Sequence, residues 1–288
     1  MRVVVTGAAG QVGRALRDTC PNDVTMVGLP REQLDLGNHS AIAGTMKELR
    51  PDVVINAAAY TAVDKAESEP QAAFAINAEA VGALASACRA VDAKLIHIST
   101  DFVFDGTKSR PYSPSDAPNP LNVYGASKAQ GERRVMDTEG LDWLIVRTAW
   151  VYASQGRNFL LTMLRLLRER SVVNVVCDQI GTPTSAKSLA SALWCAAKVE
   201  GPAEVLHYTD AGVASWYDFA VAIYEEARSS QLVSGAVEIV PISTDQYPTP
   251  ARRPSFSVLD KSRTLERLGI RQQHWRAALR EVMMEMRS

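Results

Sequence analysis

Short runs of valine and isoleucine recur along the chain, separated by longer stretches in which alanine, leucine and valine return every three or four residues. The short runs are Val3–Val5, Val24–Gly28, Val53–Asn56, Lys94–Ile98, Trp143–Val146 and Val172–Val176, several of them almost continuously apolar. A strand that faces water on one side alternates, so continuous runs predict strands covered on both faces, as in a parallel sheet. The stretches Gln11–Thr19, Ser40–Leu49, Gln71–Val91 and Asn122–Thr138 predict the covering helices. The alternation defines an α/β fold, a Rossmann-like doubly wound parallel sheet. Ligands of such a sheet lie beyond the carboxyl ends of its strands, where the strand order reverses.

After Tyr152 the regularity loosens. Leu160, Leu161, Leu164 and Leu167, with arginines between them, predict an amphipathic helix over Asn158–Arg170. A turn-rich stretch over Asp178–Thr184 follows, then a helix over Lys187–Lys198, a strand near Val205–Tyr208 and a helix over Trp216–Arg228. Beyond the Pro- and Arg-rich Tyr247–Pro254 come two short helical stretches. The pattern predicts a nucleotide-binding region over residues 1–152 and a small C-terminal substrate lobe over 153–288, interleaved with a sheet that is completed by segments after 170. The longest segment without periodicity, Asp105–Pro120, is expected to act as a lid because it joins two candidate catalytic segments.

Charge narrows the partners. With 31 basic and 32 acidic residues mixed along the chain, nothing attracts nucleic acid or an anionic membrane, which leaves small molecules. Cys20, Cys88, Cys177 and Cys195 are far apart, and neither they nor His39, His97, His207 and His274 reach a zinc-ligand spacing. No metal is expected, and four unpaired thiols predict a reducing, cytoplasmic setting. A signal peptide is not evident at Met1–Arg2, and Arg147 interrupts the most apolar stretch, so no membrane span is expected.

Three motifs carry candidate chemistry. In VVVTGAAGQVG, Gly7, Gly10 and Gly13 follow a strand and open a helix. Glycines there let the backbone approach a pyrophosphate at the positive helix end, which makes Gly7, Gly10, Gln11, Val12 and Gly13 candidate cofactor ligands. The G-x-x-G-x-x-G spacing separates short-chain from other dehydrogenases. At the end of the second strand Arg31 suits the 2′-phosphate of NADPH, although a solvated arginine beside Glu32 is the competing reading and NADH stays open. The second motif, Asn56-Ala57-Ala58-Ala59-Tyr60, offers small side chains beneath an adenosine ribose and a polar group, Asn56, at the strand edge.

The third motif carries the reaction. Ser99-Thr100-Asp101 ends the fourth strand, and Tyr124-Gly125-Ala126-Ser127-Lys128 opens a helix after a proline-rich loop. Four residues apart, Tyr124 and Lys128 share a helix face, so an ammonium is expected to lower the phenol's pKa into the range useful for proton exchange. Thr100 is placed to hydrogen-bond a substrate carbonyl.

These segments, with INAAAYTAVDKAE from Ile55, STDFVFDG from Ser99, PLNVYGASKAQGE from Pro120, RTAWVY from Arg147, DQIGTPT from Asp178, ASWYDFA from Ala214 and TPARRPSFSVLD from Thr249, resemble the dTDP-4-dehydrorhamnose reductases. These are extended short-chain dehydrogenases. The resemblance covers nearly the whole chain. It implies an NAD(P)-binding domain at 1–152 and a mainly sugar-nucleotide lobe at 153–288. It further implies Tyr124 as proton donor, Lys128 at the nicotinamide ribose, and Thr100 and Asp101 at the sugar's keto oxygen. Asp35 and Leu36 would border the adenine, Ala57, Ala58 and Tyr60 the ribose side, and Trp150, Asn158 and Arg253 the sugar nucleotide. The implied reaction is NADPH- or NADH-dependent reduction of dTDP-4-dehydro-L-rhamnose to dTDP-L-rhamnose, by a monomer or homodimer. Some members dimerise through magnesium held by acidic residues, and Arg14 stands at one of those places here. Relatives acting on another dTDP-4-keto-6-deoxysugar, and the non-catalytic β subunit of methionine adenosyltransferase, share the same features.

Overall fold

Alternation within the apolar runs decides which helices each strand face buries. In the computed structural model, which describes residues 1–286, the first half of the chain forms five strands. These are β1 (Arg2–Thr6), β2 (Thr25–Leu29), β3 (Val53–Asn56), β4 (Lys94–Thr100) and β5 (Trp143–Thr148). Between them run α1 (Gln11–Asp18), α2 (His39–Leu49), the short α3 (Val63–Ala66) and α4 (Pro70–Phe74), α5 (Ala80–Ala90) and α6 (Val123–Met136). The second half adds β6 (Val151–Tyr152), α7 (Phe159–Glu169), β7 (Val172–Val176), β8 (Ile180–Gly181), β9 (Thr184–Ser185) and α8 (Ala186–Lys198). It ends with β10 (Glu204–His207), β11 (Ala214–Ser215), α9 (Trp216–Ser229), β12 (Glu238–Ile242), α10 (Ser262–Leu268) and α11 (Trp275–Glu285). The last two positions of the 153–288 segment lie outside the described residues.

Six strands form one parallel sheet in the order β10-β5-β4-β3-β1-β2. Val3, Val5, Ile55, Ile96, Leu144 and Leu206 project to one face, where Leu16 of α1 and Leu189 and Leu193 of α8 cover them. Val4, Val54, Leu95 and Ile145 project to the other, under Ile42 and Met46 of α2 and Leu84 of α5. Both faces are sealed from water, which is why the strands read as continuous apolar runs. The chain leaves β1 toward β2 and returns on the other side to β3, so the strand order reverses beside the glycine turn. That reversal opens the crevice in which a doubly wound sheet binds its ligand.

Two expectations change. Val172–Val176 is a strand, but it pairs with β12 in a separate two-stranded sheet within a third apolar cluster built on Leu164, Phe219 and Trp275. Burial on alternate residues only, Val173 and Val175, marks a strand with one wet face, unlike the runs of the main sheet. The helix expected over Gln71–Val91 is interrupted by a π turn at Ala75–Glu79. There the Asn77 carboxamide clasps the backbone of Tyr60, accepting from its N–H at 2.8 Å and donating to its carbonyl at 3.0 Å. Local periodicity cannot report a bulge that a distant loop stabilises.

The Asp105–Pro120 segment behaves as a strut. Tyr112 is buried, stacks on Phe104 at 4.1 Å and donates its hydroxyl to Asp105, while its backbone bridges to Leu259. Lys108 pairs with Asp116. No residue from 105 to 120 lines the cleft described next, where the expected lid would have to reach.

Candidate active site

The cleft at the strand-order reversal has a volume of about 1000 Å³, room for an extended dinucleotide and part of a second ligand. Its floor at one end is the glycine turn. Gly7 adopts φ +65°, and a Cβ there would sit 2.7 Å from the Ala58 backbone nitrogen, so the turn after β1 lies directly against the alanine motif after β3. Helix α1 starts from Gly10 with no side-chain cap, and Gln11 and Val12 line the cleft. Its first N–H groups therefore face the cleft with the positive end of the helix dipole, a cradle for a diphosphate. Leu34, Leu36 and the exposed Arg31 and Asp35 line the same end, and Ala57, Ala58 and Tyr60 the adjoining wall. The Arg31–Asp35 contact, 3.7 Å between two exposed side chains, is too weak to hold the guanidinium away from a ligand.

Thr100, Asp101, Tyr124 and Lys128 meet in the middle of the cleft. Asn122 caps α6 by accepting from Gly125 N–H at 2.7 Å and donates to the Arg252 carbonyl, which ties the start of this helix to the C-terminal tail. Gly125 lets α6 approach the end of β4, because a Cβ there would lie 2.1 Å from the Phe102 carbonyl oxygen. Gly125→Ala is expected to push the helix start outward, costing about 1–3 kcal/mol by overpacking and lowering turnover with it, as thermal unfolding and rate measurements would read.

The electrostatics differ from the sequence expectation. Burial pushes the Tyr124 phenol up to about 12; the Thr100 hydroxyl lowers it by less, and the Asp101 carboxylate raises it. Lys128 does not depress it. Its ammonium nitrogen donates to the Ile98 carbonyl at 2.7 Å and faces His97 Nε2 at 3.3 Å, and burial brings Lys128 down to about 8 against the opposing pull of Glu132. The shared helix face is right, but desolvation outweighs the cation. Asp101 is pushed up to about 6 by burial; its Oδ1 accepts from Thr100 at 3.1 Å.

Trp150, at φ +49°, stacks face to face on Trp216 with ring centroids 3.5 Å apart, and both line the far end of the cleft with Phe159. Gly181 makes room for the pair, since a Cβ there would lie 2.7 Å from the Trp150 ring. Arg253 lines the cleft while paired with Asp64 at 2.8 Å.

Three sequence candidates stand off the cleft. Asn56 is fully buried, its carboxamide engaged by Thr6, Ala58 and His97. Gly13 faces the turn, where a Cβ would meet Ala8 and Gly7 at 2.5 Å, so it serves the packing of α1. Asn158 caps α7 and donates to Gln11 Oε1 at 2.7 Å, reaching the cleft only through that side chain. Conversely, Trp216, Phe159, Gln155 and Arg157 line the cleft unforeseen. Trp216 follows a Ser215–Asp218 capping box, a signal for a helix start but not for an aromatic wall.

A glycine turn over an uncapped helix on a doubly wound sheet, with a tyrosine and lysine from one helix meeting a strand-end threonine, defines a reductase of the short-chain dehydrogenase class. Within that class the chain belongs to the family of the RmlD substrate binding domain, whose model matches residues 1–288. It is 47% identical over 292 residues to a dTDP-4-dehydrorhamnose reductase of Burkholderia thailandensis, covering 97% of each chain. A crystal structure of the dTDP-4-dehydrorhamnose reductase of Bacillus anthracis in complex with NADP superposes with a TM-score of 0.92 at 35% identity, over 99% of both chains. A UDP-glucose 4-epimerase of Thermus thermophilus in complex with NAD shares the fold, with a TM-score of 0.83 at 21% identity over 100% of this chain and 99% of the epimerase. Among the described residues no helix is long and apolar enough to cross a membrane.

Proposed function

We propose that the chain reduces the C4 keto group of dTDP-4-dehydro-L-rhamnose to the alcohol with NADPH, giving dTDP-L-rhamnose and NADP⁺. The observation that carries this is the convergence of Thr100, Tyr124 and Lys128 midway between an uncapped helix end and an aromatic wall in one cleft. When bound, the reduced nicotinamide supplies the hydride to the keto carbon. Tyr124, whose raised pKa keeps it a protonated phenol at neutral pH, gives its proton to the keto oxygen. Thr100, whose hydroxyl donates to Asp101, would turn that hydroxyl proton to the keto oxygen and orient it, and Lys128 would donate to the nicotinamide ribose. Gly7, Gly10, Gln11 and Val12 would hold the diphosphate, Asp35 and Leu36 would border the adenine, and Ala57, Ala58 and Tyr60 the ribose.

Residues 1–152 serve mainly the dinucleotide, and residues from 153 on mainly the sugar nucleotide, through Phe159, Trp216 and Arg253. Trp150 and Trp216 present a flat apolar wall to the deoxysugar or its pyrimidine. Arg253 can exchange Asp64 for the diphosphate of the sugar nucleotide. Oligomerisation through a metal finds no acid at position 14, where Arg14 donates to the Ala9 carbonyl at 2.9 Å and to Gln155 at 2.8 Å; the chain acts as a monomer or a homodimer. Four free thiols suit the cytoplasm.

The test is oxidation of NADPH by purified protein supplied with dTDP-4-dehydrorhamnose made in situ, beside other dTDP-4-keto-6-deoxysugars. Turnover of another sugar but not this one would replace the substrate, and tight NADPH binding without any turnover would turn the reading toward a regulatory subunit. Arg31→Ala is expected to raise KM for NADPH about tenfold, the scale of one charge-assisted hydrogen bond, and to leave KM for NADH unmoved.

A further inference from the structure

Beneath the site a line of buried polar groups runs from β1 to α6. Thr6 Oγ1 donates to Asn56 Oδ1 at 2.6 Å, Asn56 Nδ2 lies 3.0 Å from His97 Nδ1, and His97 Nε2 lies 3.3 Å from Lys128 Nζ. Thr6, Asn56 and His97 are essentially inaccessible to water, so each of these groups must find its partner within the protein. The direction of the line is fixed at Asn56. Ala58 N–H, which can only donate, points at Oδ1 from 3.2 Å, so the carboxamide cannot turn over without setting two donors against each other. Nδ2 therefore donates to His97, and Nδ1 of the imidazole must accept. Burial pushes the His97 pKa well down, so the ring is neutral and carries one proton. That proton is on Nε2, pointing at Lys128.

We propose that His97 is a positioning residue whose Nε2–H, fixed by Asn56 and Thr6, points at Lys128 Nζ and so favours the amine over the ammonium form there. An ammonium would turn a third donor toward a donor, whereas an amine offers its lone pair to His97 and keeps its two N–H bonds for the Ile98 carbonyl and a cofactor hydroxyl. Of the other charged groups on the elements around Lys128, Glu132 opposes His97 and the rest are engaged elsewhere. Glu132, one turn further along α6, shares its charge with Arg147 of β5 and still pulls Lys128 toward the ammonium. Asp64 of α3 pairs with Arg253, Lys65 pairs with Glu69, Glu79 is exposed, and Cys88 of α5 stays a neutral thiol because burial pushes it up to about 12. Arg89 of α5 turns to the Glu139 carbonyl, and Lys94, at the far end of β4, donates to the carbonyls of Ala196 and Val199. Tyr124 and Asp101 complete the surroundings on the cleft side. The inference rests on the proposed reduction for its role, but not for its test.

The tautomer can be read without cofactor or substrate, from the imidazole nitrogen shifts of protein labelled with ¹⁵N-histidine, with His97→Gln assigning the signal. Wild type is expected to show the proton on Nε2. Asn56→Asp, whose carboxylate accepts from Thr6, Ala58 and Nδ1–H alike, is expected to move it to Nδ1. In His97→Gln the side-chain amide can turn its oxygen to an ammonium, so the Lys128 titration, followed by its ¹³Cε shift, should rise in proton affinity about tenfold, the scale of one hydrogen bond. A wild-type ring protonated on Nδ1, or a Lys128 midpoint unmoved in a folded His97→Gln protein, would overturn the proposal. Should His97→Gln not fold, the wild-type tautomer decides, with Asn56→Asp identifying the signal. Because neither reading involves turnover, a chain that reduced a different sugar would still pass or fail this test on its own terms.

Discussion

Tyr124→Phe is expected to lower kcat for ketone reduction by about 10²- to 10⁴-fold, the range spanned by loss of a general acid. The phenylalanine keeps the ring that packs edge-on against Phe102 at 5.9 Å and removes only the hydroxyl, so the start of α6 stays in place. NADPH affinity should stay within about twofold of wild type, since a group that acts only in the transition state contributes little to ground-state binding. Fluorescence titration of the cofactor beside steady-state kinetics separates the two. A mutant that lost less than tenfold in kcat would require another proton source, and Asp101, already raised to about 6 beside Thr100, would be the first to examine.

The largest effect on stability is expected at Arg147. Its guanidinium meets Glu132 through two bonds, Nε to Oε1 at 2.8 Å and Nη2 to Oε2 at 2.7 Å, with side chains 3% and 0% exposed. It also lies 5.1 Å over the Phe104 ring and 3.4 Å from both the Pro114 carbonyl and His207 Nε2. Burial, with the adjoining Arg147 charge, pushes His207 down to about 3, so the ring is neutral and accepts from the arginine through Nε2 while Nδ1–H donates to the Tyr112 carbonyl. Arg147→Met strands the Glu132 carboxylate in the core, and breaking a buried pair from one side costs about 3–5 kcal/mol. Urea unfolding should show that loss. The double variant Glu132→Leu/Arg147→Met should recover much of it, because the cost lies in the unpaired charge. A single variant within about 1 kcal/mol of wild type would mean that water reaches the pair.

How much of this was legible in the sequence depends on the range of the interactions involved. The five strands and their helices were readable because a sheet covered on both faces imposes an apolar run on each strand locally. Gly7 was readable because a close backbone approach excludes a Cβ whatever the rest of the chain does. Asn56 was misplaced because a strand-end asparagine looks alike whether it meets a ligand or a buried imidazole; only His97, on the neighbouring strand, decides. Asn158 has the same ambiguity between a helix cap and a ligand contact. The sign of the Tyr124 shift was missed because helical spacing reports proximity and says nothing about desolvation. Trp216 reaches the cleft through the fold of the lobe, 66 residues after Trp150 in the sequence, and no local pattern reports such a pairing.

The sheet's outer strand is the last of its six to leave the ribosome. Until β10 has been made and α8 has laid Trp194 and Leu193 on the sheet, β5 presents a bare row of amide and carbonyl groups beside the uncovered Leu144 and Val146. An exposed edge of that kind recruits other strands, so the nascent polypeptide passes through an adhesive stage lasting more than fifty residues of synthesis after β5 is complete. Biogenesis of this protein therefore has its most vulnerable moment midway through translation, and a chaperone that shields extended edges has its greatest influence there.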